Sequence, residues 1–293
     1  MMAAAEDQAS VTRLAPLDEA CLPAAQALSA HFGWPHRVED WRWALALGEG
    51  FGAFDGGQPD GGRLVGTGLC WRFGTAASLG LVVVAPAAQG RGLGRRITSA
   101  LLGRIGEAPV VLHATEAGLP LYASLGFVAE GTVCQYQGTP GPIGPASLPA
   151  GARLRPLGLP DLAAVTALDA AAARMDRRHL HAALLDGAGG IGLDRDGVLL
   201  GFAFLRRFGR GQLIGPVVAV EHEGARAMIA HLLGSQAGRF VRIDIPEESG
   251  LAPWLAELGL ADAGPAIRMV RGTLPDRRTS AAATFALASQ AIG

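Results

Sequence analysis

The chain repeats itself, and the repeat limits what it can fold into. "RLAPL" at 13–17 returns as "RLRPL" at 153–157, and "AQALSA" at 25–30 returns as "VTALDA" at 165–170. "GRLVGTGLCWRFG" (62–74) aligns without gaps to "GVLLGFAFLRRFG" (197–209), and "LGLVV" (79–83) meets "IGPVV" (214–218) at the same spacing. Further on, "LLG" at 101–103 meets "LLG" at 232–234, and "LYASLGF" (121–127) meets "WLAELGL" (254–260). Each identity is weak alone. Their shared order and nearly constant offset make a divergent duplication the better explanation. The offset falls from 135 to 131 between the strand near residue 80 and the helix near residue 101, so the second copy lacks four residues there.

The first copy reads as a mixed α/β unit. "DEACLPAAQALSAHF" has helical periodicity with Asp18 as a cap, and "EDWRWALALG" is a second helix stopped near Gly48. "GAF", "RLVGTGLCWRF" and "ASLGLVVVA" suit consecutive strands with turns at "DGG" and "FG". A helix is expected over Arg91–Ile105, a strand at "APVVLHAT", a short helix at "GLPLYASLG" and a final strand pair at "FVAEGTVCQYQ". The Pro- and Gly-rich stretch 139–151 is the expected linker, which divides the chain into domains at 1–138 and 152–293. The tail near "TFALAS" permits a strand, a helix or fraying.

Composition removes several functions. A length of 293 residues, 49% of them hydrophobic, is enough for one large or two ordinary cores. A net charge of −1 gives no global attraction to nucleic acid or anionic membrane. No apolar run is long enough to span a bilayer, and the "MMAAAEDQAS" start lacks the pattern of a signal peptide. Cys21, Cys70 and Cys134 are few, scattered and form no CxxC pair, which argues against disulfides and cysteine-bound zinc; the cytoplasm is the expected compartment. His31 and His36 are not spaced as a helical metal pair, so no metal is expected. All 25 basic residues are Arg. Without lysine there is no Schiff-base chemistry and no Walker A loop.

The stretch "VVVAPAAQGRGLGRRI" carries the chemistry. A strand meets a proline, then Gly90, Gly92 and Gly94, then a helix. Backbone N–H groups in such a loop converge at a helix N-terminus, where they are unpaired and face the positive end of the dipole. Together they make an anion site suited to phosphate or pyrophosphate, to which Arg91, Arg95 and Arg96 can add charge-assisted bonds. An ordinary tight turn with an exposed arginine cluster is the plainer alternative. A dinucleotide fingerprint, G-x-G-x-x-G, fails in both frames, because its third glycine would fall at Arg95 or Ile97.

Gln89, Gly90, Arg91, Gly92, Leu93 and Gly94 stand as [QR]-x-x-G-x-[GA] does in the acyl-CoA motif of the GNAT superfamily of N-acetyltransferases, which this stretch resembles. "PLYASLGF" resembles that family's later motif, a tyrosine preceding Gly-Phe on a short helix. The resemblance covers about residues 10–138 and is weaker over 152–272. It implies two GNAT-like α/β domains, each a mixed, mostly antiparallel sheet flanked by helices, the first catalytic and the second degenerate. It also implies acetyl transfer from acetyl-CoA to an amine. The amides of Gln89 through Gly94 would hold the coenzyme A pyrophosphate, with Arg95 opening the helix. Val82, Val83 and Val84 would pair with the pantetheine arm, and Tyr122 would protonate the leaving thiolate. Many members carry an Asn after the strand preceding that tyrosine; this chain has Thr115 there.

The base that deprotonates the amine has no fixed position. Glu116, His113, Glu39 and Asp40 are candidates, and solvated surface is the plainer reading of each carboxylate. Trp34, Trp41 and Trp43 suit either core packing or an aromatic wall of the acceptor pocket. The second copy replaces the loop by "VEHEGARAM", with Glu221 and Glu223 where a phosphate would go, and is expected not to bind coenzyme A there. The expected partners are an amine, small or peptidic, in a monomer or homodimer. An acyl-CoA-binding sensor without turnover and, more remotely, a dinucleotide-dependent oxidoreductase stay open as alternatives.

Overall fold

The computed structural model describes residues 12–56, 62–144, 146–275 and 281–293. The first eleven residues and parts of the "DGG" turns lie outside them. The first copy contains β1 (Arg13–Pro16), α1 (Leu22–His31), α2 (Val38–Ala46), β2 (Glu49–Asp55), β3 (Arg63–Phe73), β4 (Ala76–Val84), α3 (Leu93–Ile105), β5 (Val110–Ala114), α4 (Leu119–Ala123) and β6 (Val128–Gly138). The second contains β7 (Arg153–Pro156), α5 (Leu162–Ala173), α6 (Arg178–Gly187), β8 (Gly189–Arg195), β9 (Val198–Phe208), β10 (Gly211–Ala219), α7 (His222–Gly234), β11 (Val241–Pro246), α8 (Ala252–Glu257) and β12 (Leu260–Arg271). The order is identical, and β3 matches β9 in length as α3 matches α7. A last strand, β13 (Ala283–Ala286), follows.

Two compact units form, one from the described residues up to Leu69 with Leu81–Arg104, the other from Cys70–Gly80 and Ile105–Gly293. In the first unit β1 runs antiparallel to β2, with Arg13 opposite Phe54. The 3-10 turn before α1 is capped as expected, the Cys21 amide donating to Asp18 Oδ1 at 3.2 Å. Helix α3 buries Leu93, Ile97 and Leu101. It lies directly on β3, because a Cβ at Gly68 would stand 2.6 Å from Ile97 Cγ2. Within β4, Leu81 takes φ +52°, and its carbonyl accepts the Thr67 hydroxyl at 2.9 Å. A left-handed leucine costs about 1 kcal/mol or more, and such kinks re-aim a strand.

In the second unit the strands run β4-β5-β12-β6-β11-β10-β9-β8-β7. Only the β4–β5 and β10–β11 pairs are parallel, and the repeat makes them equivalent. Strand β12 lies between β5 and β6, with Ile267 opposite Ala114. Strand β6 lies between β12 and β11, with Tyr136 opposite Ile243. The copies therefore exchange strands: each fifth strand pairs with the other copy's sixth. The strand pair expected at "FVAEGTVCQYQ" is a single strand, β6, extended by partners on both edges. The ambiguous tail is a strand because β10 offers it an edge, with Val217 opposite Ala286 and Ala219 opposite Ala283.

The core of this unit packs Met228, Ile229 and Leu232 of α7 against Ile214, Val217 and Ile243 of the sheet. As in the first copy, a glycine lies under the helix: a Cβ at Gly201 would meet Met228 at 2.8 Å. Among the described residues no helix is long and apolar enough to cross a membrane.

Candidate active site

The glycine loop belongs to the first unit. It leaves β4 through a 3-10 turn, Pro86–Ala88, and enters α3 at Leu93. Gly90 and Gly92 have φ of +76° and +73°, and a Cβ built on either meets nothing within 4 Å. The two positions are thus left-handed and open above, which only glycine satisfies without strain. Gln89, Gly90, Arg91, Gly92 and Arg95 are exposed, whereas Leu93 is buried and anchors the helix. Gln89 folds back, donating from Nε2 to the Val84 carbonyl at 3.2 Å. The Gln89 amide is held by the Pro86 carbonyl at 3.2 Å, and the open approach over Gly90 and Gly92 at a helix N-terminus fits an anionic diphosphate.

Arg91 is held from behind. Its guanidinium donates to both Asp55 oxygens at 3.1 Å and to Thr12 Oγ1. Thr12 Oγ1 donates to Asp55 Oδ1 at 2.6 Å, and Arg96 donates to the Thr12 carbonyl at 3.0 Å. The Arg91 bond, then that of Thr12, lowers the Asp55 carboxyl below its ordinary range. Arg91 thus ties the loop to the end of β2. Sequence reading missed Asp55 and Thr12, since neither lies near the loop in the chain. Val83 is buried, and Val82 and Val84 are half-buried at the end of β4.

The tyrosine segment belongs to the second unit. Thr115 precedes the exposed 3-10 turn Glu116–Gly118, which leads into α4. Tyr122 is 8% exposed and packs edge-on against Phe127, ring centroids 5.9 Å apart. Its ring also lies over Gly118, where a Cβ would stand 2.9 Å from Tyr122 Cε2. Burial pushes the phenol up to about 12, so it keeps its proton at neutral pH. A proton donor needs that state.

The candidate bases separate. Asp40 is buried at the start of α2, where it accepts from the Arg37 amide at 2.8 Å and from Arg37 Nη2 at 2.7 Å, a helix cap. Glu39 and Glu116 are exposed. His113, on β5, points Nδ1 at the Gln290 carbonyl, 3.0 Å away. Burial first, then Arg268, lowers its pKa to about 4. Trp41 is fully buried and donates to Ser29 Oγ at 3.2 Å, so it is core, whereas Trp34 and Trp43 are half-buried.

The second copy lacks the loop. Only Val220 and Glu221 separate β10 from α7, where residues 85–92 separate β4 from α3. Four residues are missing, and α7 begins two residues early and takes two more. The positions equivalent to Val82–Val84 are Val217–Ala219, and the backbone there is paired with β13. The chain thus fills, in its second copy, the strand edge that the resemblance assigns to pantetheine in the first.

The chain is similar to known acetyltransferases in sequence and in fold. Models of the acetyltransferase (GNAT) domain match residues 57–141 and 165–282. An uncharacterised N-acetyltransferase of Bacillus subtilis is 31% identical over 288 residues, 97% of this chain and 99% of that protein. A putative acetyltransferase from Pyrococcus horikoshii has a similar fold, with TM-score 0.77 at 23% identity and 96% of each chain covered. A tandem GNAT protein from the clavulanic acid biosynthesis pathway aligns at TM-score 0.59 and 16% identity, over 91% of this chain and 100% of that one.

Proposed function

Because the chain belongs to the GNAT acetyltransferase family, we propose that its first copy transfers an acetyl group from acetyl-CoA to an amine. The observation that carries this reading is the contrast between copies. The first keeps an open glycine loop at a helix N-terminus, and the second has lost the loop and covered the neighbouring strand edge with β13. A duplicated chain that retains one such cradle retains one site for an anionic coenzyme.

Acetyl-CoA would supply the activated thioester. The amides of Gln89 through Gly94 bind the pyrophosphate, with Arg95 on the first turn of α3 adding charge. Val82, Val83 and Val84 align the pantetheine arm and hold the thioester carbonyl, where preorganised amides stabilise charge that develops during attack. Thr115 contacts the arm where an amide side chain is common. Tyr122, kept protonated by burial, gives its proton to the departing thiolate. Glu116, exposed beside Thr115, passes the amine's proton to solvent. No metal enters this chemistry.

The test combines stoichiometry with turnover. Calorimetry should find one coenzyme A per chain; two would overturn the assignment of the second copy. A thiol-release assay with acetyl-CoA and a panel of benzylamine, spermidine, glucosamine, kanamycin and a peptide with a free N-terminus should show turnover with at least one member. Tyr122→Phe should lower kcat by about a hundredfold, the scale of a lost general acid. Coenzyme binding without thiol release from any amine would favour a sensor instead.

A further inference from the structure

At the point where β4 and β5 part, the second unit holds two buried polar atoms without partners. Parallel pairing joins Ala77 to Val110 and Ser78 to Val111. Paired residues of parallel strands point to one face, and so do residues two apart on a strand. Ser78, Gly80 and His113 therefore share a face of this sheet. Ser78 Oγ and His113 Nε2 are both buried with no hydrogen-bond partner. Leaving such atoms unpaired in a protein interior is unfavourable, so each needs an explanation.

The C-terminal tail covers the same face. A Cβ at Gly80 would stand 2.1 Å from the Ala291 carbonyl oxygen. The Gln290 carbonyl meets His113 Nδ1, and the Gln290 amide donates to Asp244 Oδ2 at 3.0 Å. A carbonyl can only accept, so Nδ1 carries the imidazole proton and Nε2 presents a lone pair. The tail thus selects the tautomer. It is clamped in turn by Arg177, which donates to the Gly293 main-chain oxygen and to Asp169 at 2.6 and 2.9 Å.

The second copy supplies the control. Its equivalents of Ser78 and His113 are Leu213 and Asp244. Leu213 has no polar atom to satisfy, and Asp244 is bonded twice by Arg242 at 2.8 Å and by the Gln290 amide. The orphaned pair exists only in the copy that kept the glycine loop.

We propose that Ser78 Oγ and His113 Nε2 form a subsite that receives the acceptor amine in its neutral form, under a roof made by Gln290 and Ala291. His113 Nε2 accepts an N–H from the amine, Ser78 Oγ takes a second, and the nitrogen lone pair is left to attack. This deepens the acetyl-transfer reading and rests on it. The charges around His113 suit a neutral guest. Arg268 lies opposite it on β12, Arg177 approaches from the tail side, and Asp244 already serves Arg242 and the tail. Each guanidinium is matched by its own carboxylate, Arg268 by Glu130 and Arg177 by Asp169, which leaves none of these carboxylates to receive an ammonium.

The experiment uses the full chain labelled with 15N-histidine, and as amine the panel member with the highest kcat/KM. In the free protein, long-range 15N–1H spectra should show His113 as the Nδ1–H tautomer. Adding the amine to the coenzyme A complex should move the Nε2 resonance, as hydrogen bonding to its lone pair does. Ser78→Ala and His113→Phe should each raise KM for the amine by about tenfold, the effect of one lost hydrogen bond, and leave the calorimetric Kd for coenzyme A unchanged. His113→Gln, which keeps an acceptor, should recover part of the loss.

An Nε2 signal unmoved by the amine, or unchanged amine kinetics in folded variants, overturns the subsite. A weakened coenzyme A affinity with unchanged amine KM also overturns it, by assigning the pair to a pantetheine amide. If the wild-type chain binds no coenzyme A, the acetyl-transfer reading fails first and the subsite falls with it. Normal coenzyme A binding with a silent His113 sinks the subsite alone.

Discussion

His113 illustrates how one atom's surroundings set a measurable property. Its imidazole is neutral because burial, then Arg268, lowers its pKa from 6.5 to about 4. The unfolded chain takes up a proton near pH 6.5 while the folded chain does not. Stability that is complete above pH 6.5 is therefore lost as pH falls toward 4, by on the order of 2–3 kcal/mol. Urea unfolding at pH 7 and pH 4.5 should show this loss, and His113→Phe should flatten it. Asp169 acts in a lower window. Burial would raise its carboxyl, but Arg177 and His181 outweigh that and hold it well below the ordinary carboxylate range. Residue types placed the glycines and Tyr122 correctly on a loop and a short helix. They did not reveal that Asp40 is a cap, that Arg91 leans on Asp55, or that Ser78 is orphaned. Each of these depends on a partner distant in the chain or on an absent one, and neither leaves a local pattern.

Elements were easier to read than their pairings. Hydrophobic period and turn residues located β2, β3, β4, α3 and β5, since those signals act within a few residues. The positive φ of Leu81 was invisible, because nothing about a leucine between Gly80 and Val82 announces a left-handed backbone. The tail stayed ambiguous, because its strand exists only by virtue of the β10 edge. The loop allows a prediction at this scale. Gly92→Ala puts a side chain at φ +73° in open space. The folded chain should lose about 1–2 kcal/mol, and the new methyl group stands where the diphosphate approaches. Calorimetry should then show a coenzyme A Kd weaker by about tenfold or more, with the thermal transition lowered by only a few degrees.

At the scale of the molecule, the duplication was legible and the strand exchange was not. Repeats betray common descent, but pairing between β5 and β12, or between β6 and β11, leaves no mark in either segment alone. Exchange has a direct consequence for dissection. A fragment of residues 1–151 lacks β12, and one of 152–293 lacks β6. Each exposes strand edges that the whole chain covers, and exposed edges template aggregation. Expressed separately, the fragments should be insoluble or poorly folded by circular dichroism; co-expressed, they should assemble into a soluble pair.

Synthesis makes the same demand in time. Strand β12 begins 150 residues after β5, from Val110 to Leu260. At about 5–20 residues per second, the nascent chain carries β5 with the edge away from β4 unpaired for roughly 8–30 s. The half that keeps the glycine loop emerges first and is finished late, so a ribosome stalled in the second copy would release a first copy with an open seam.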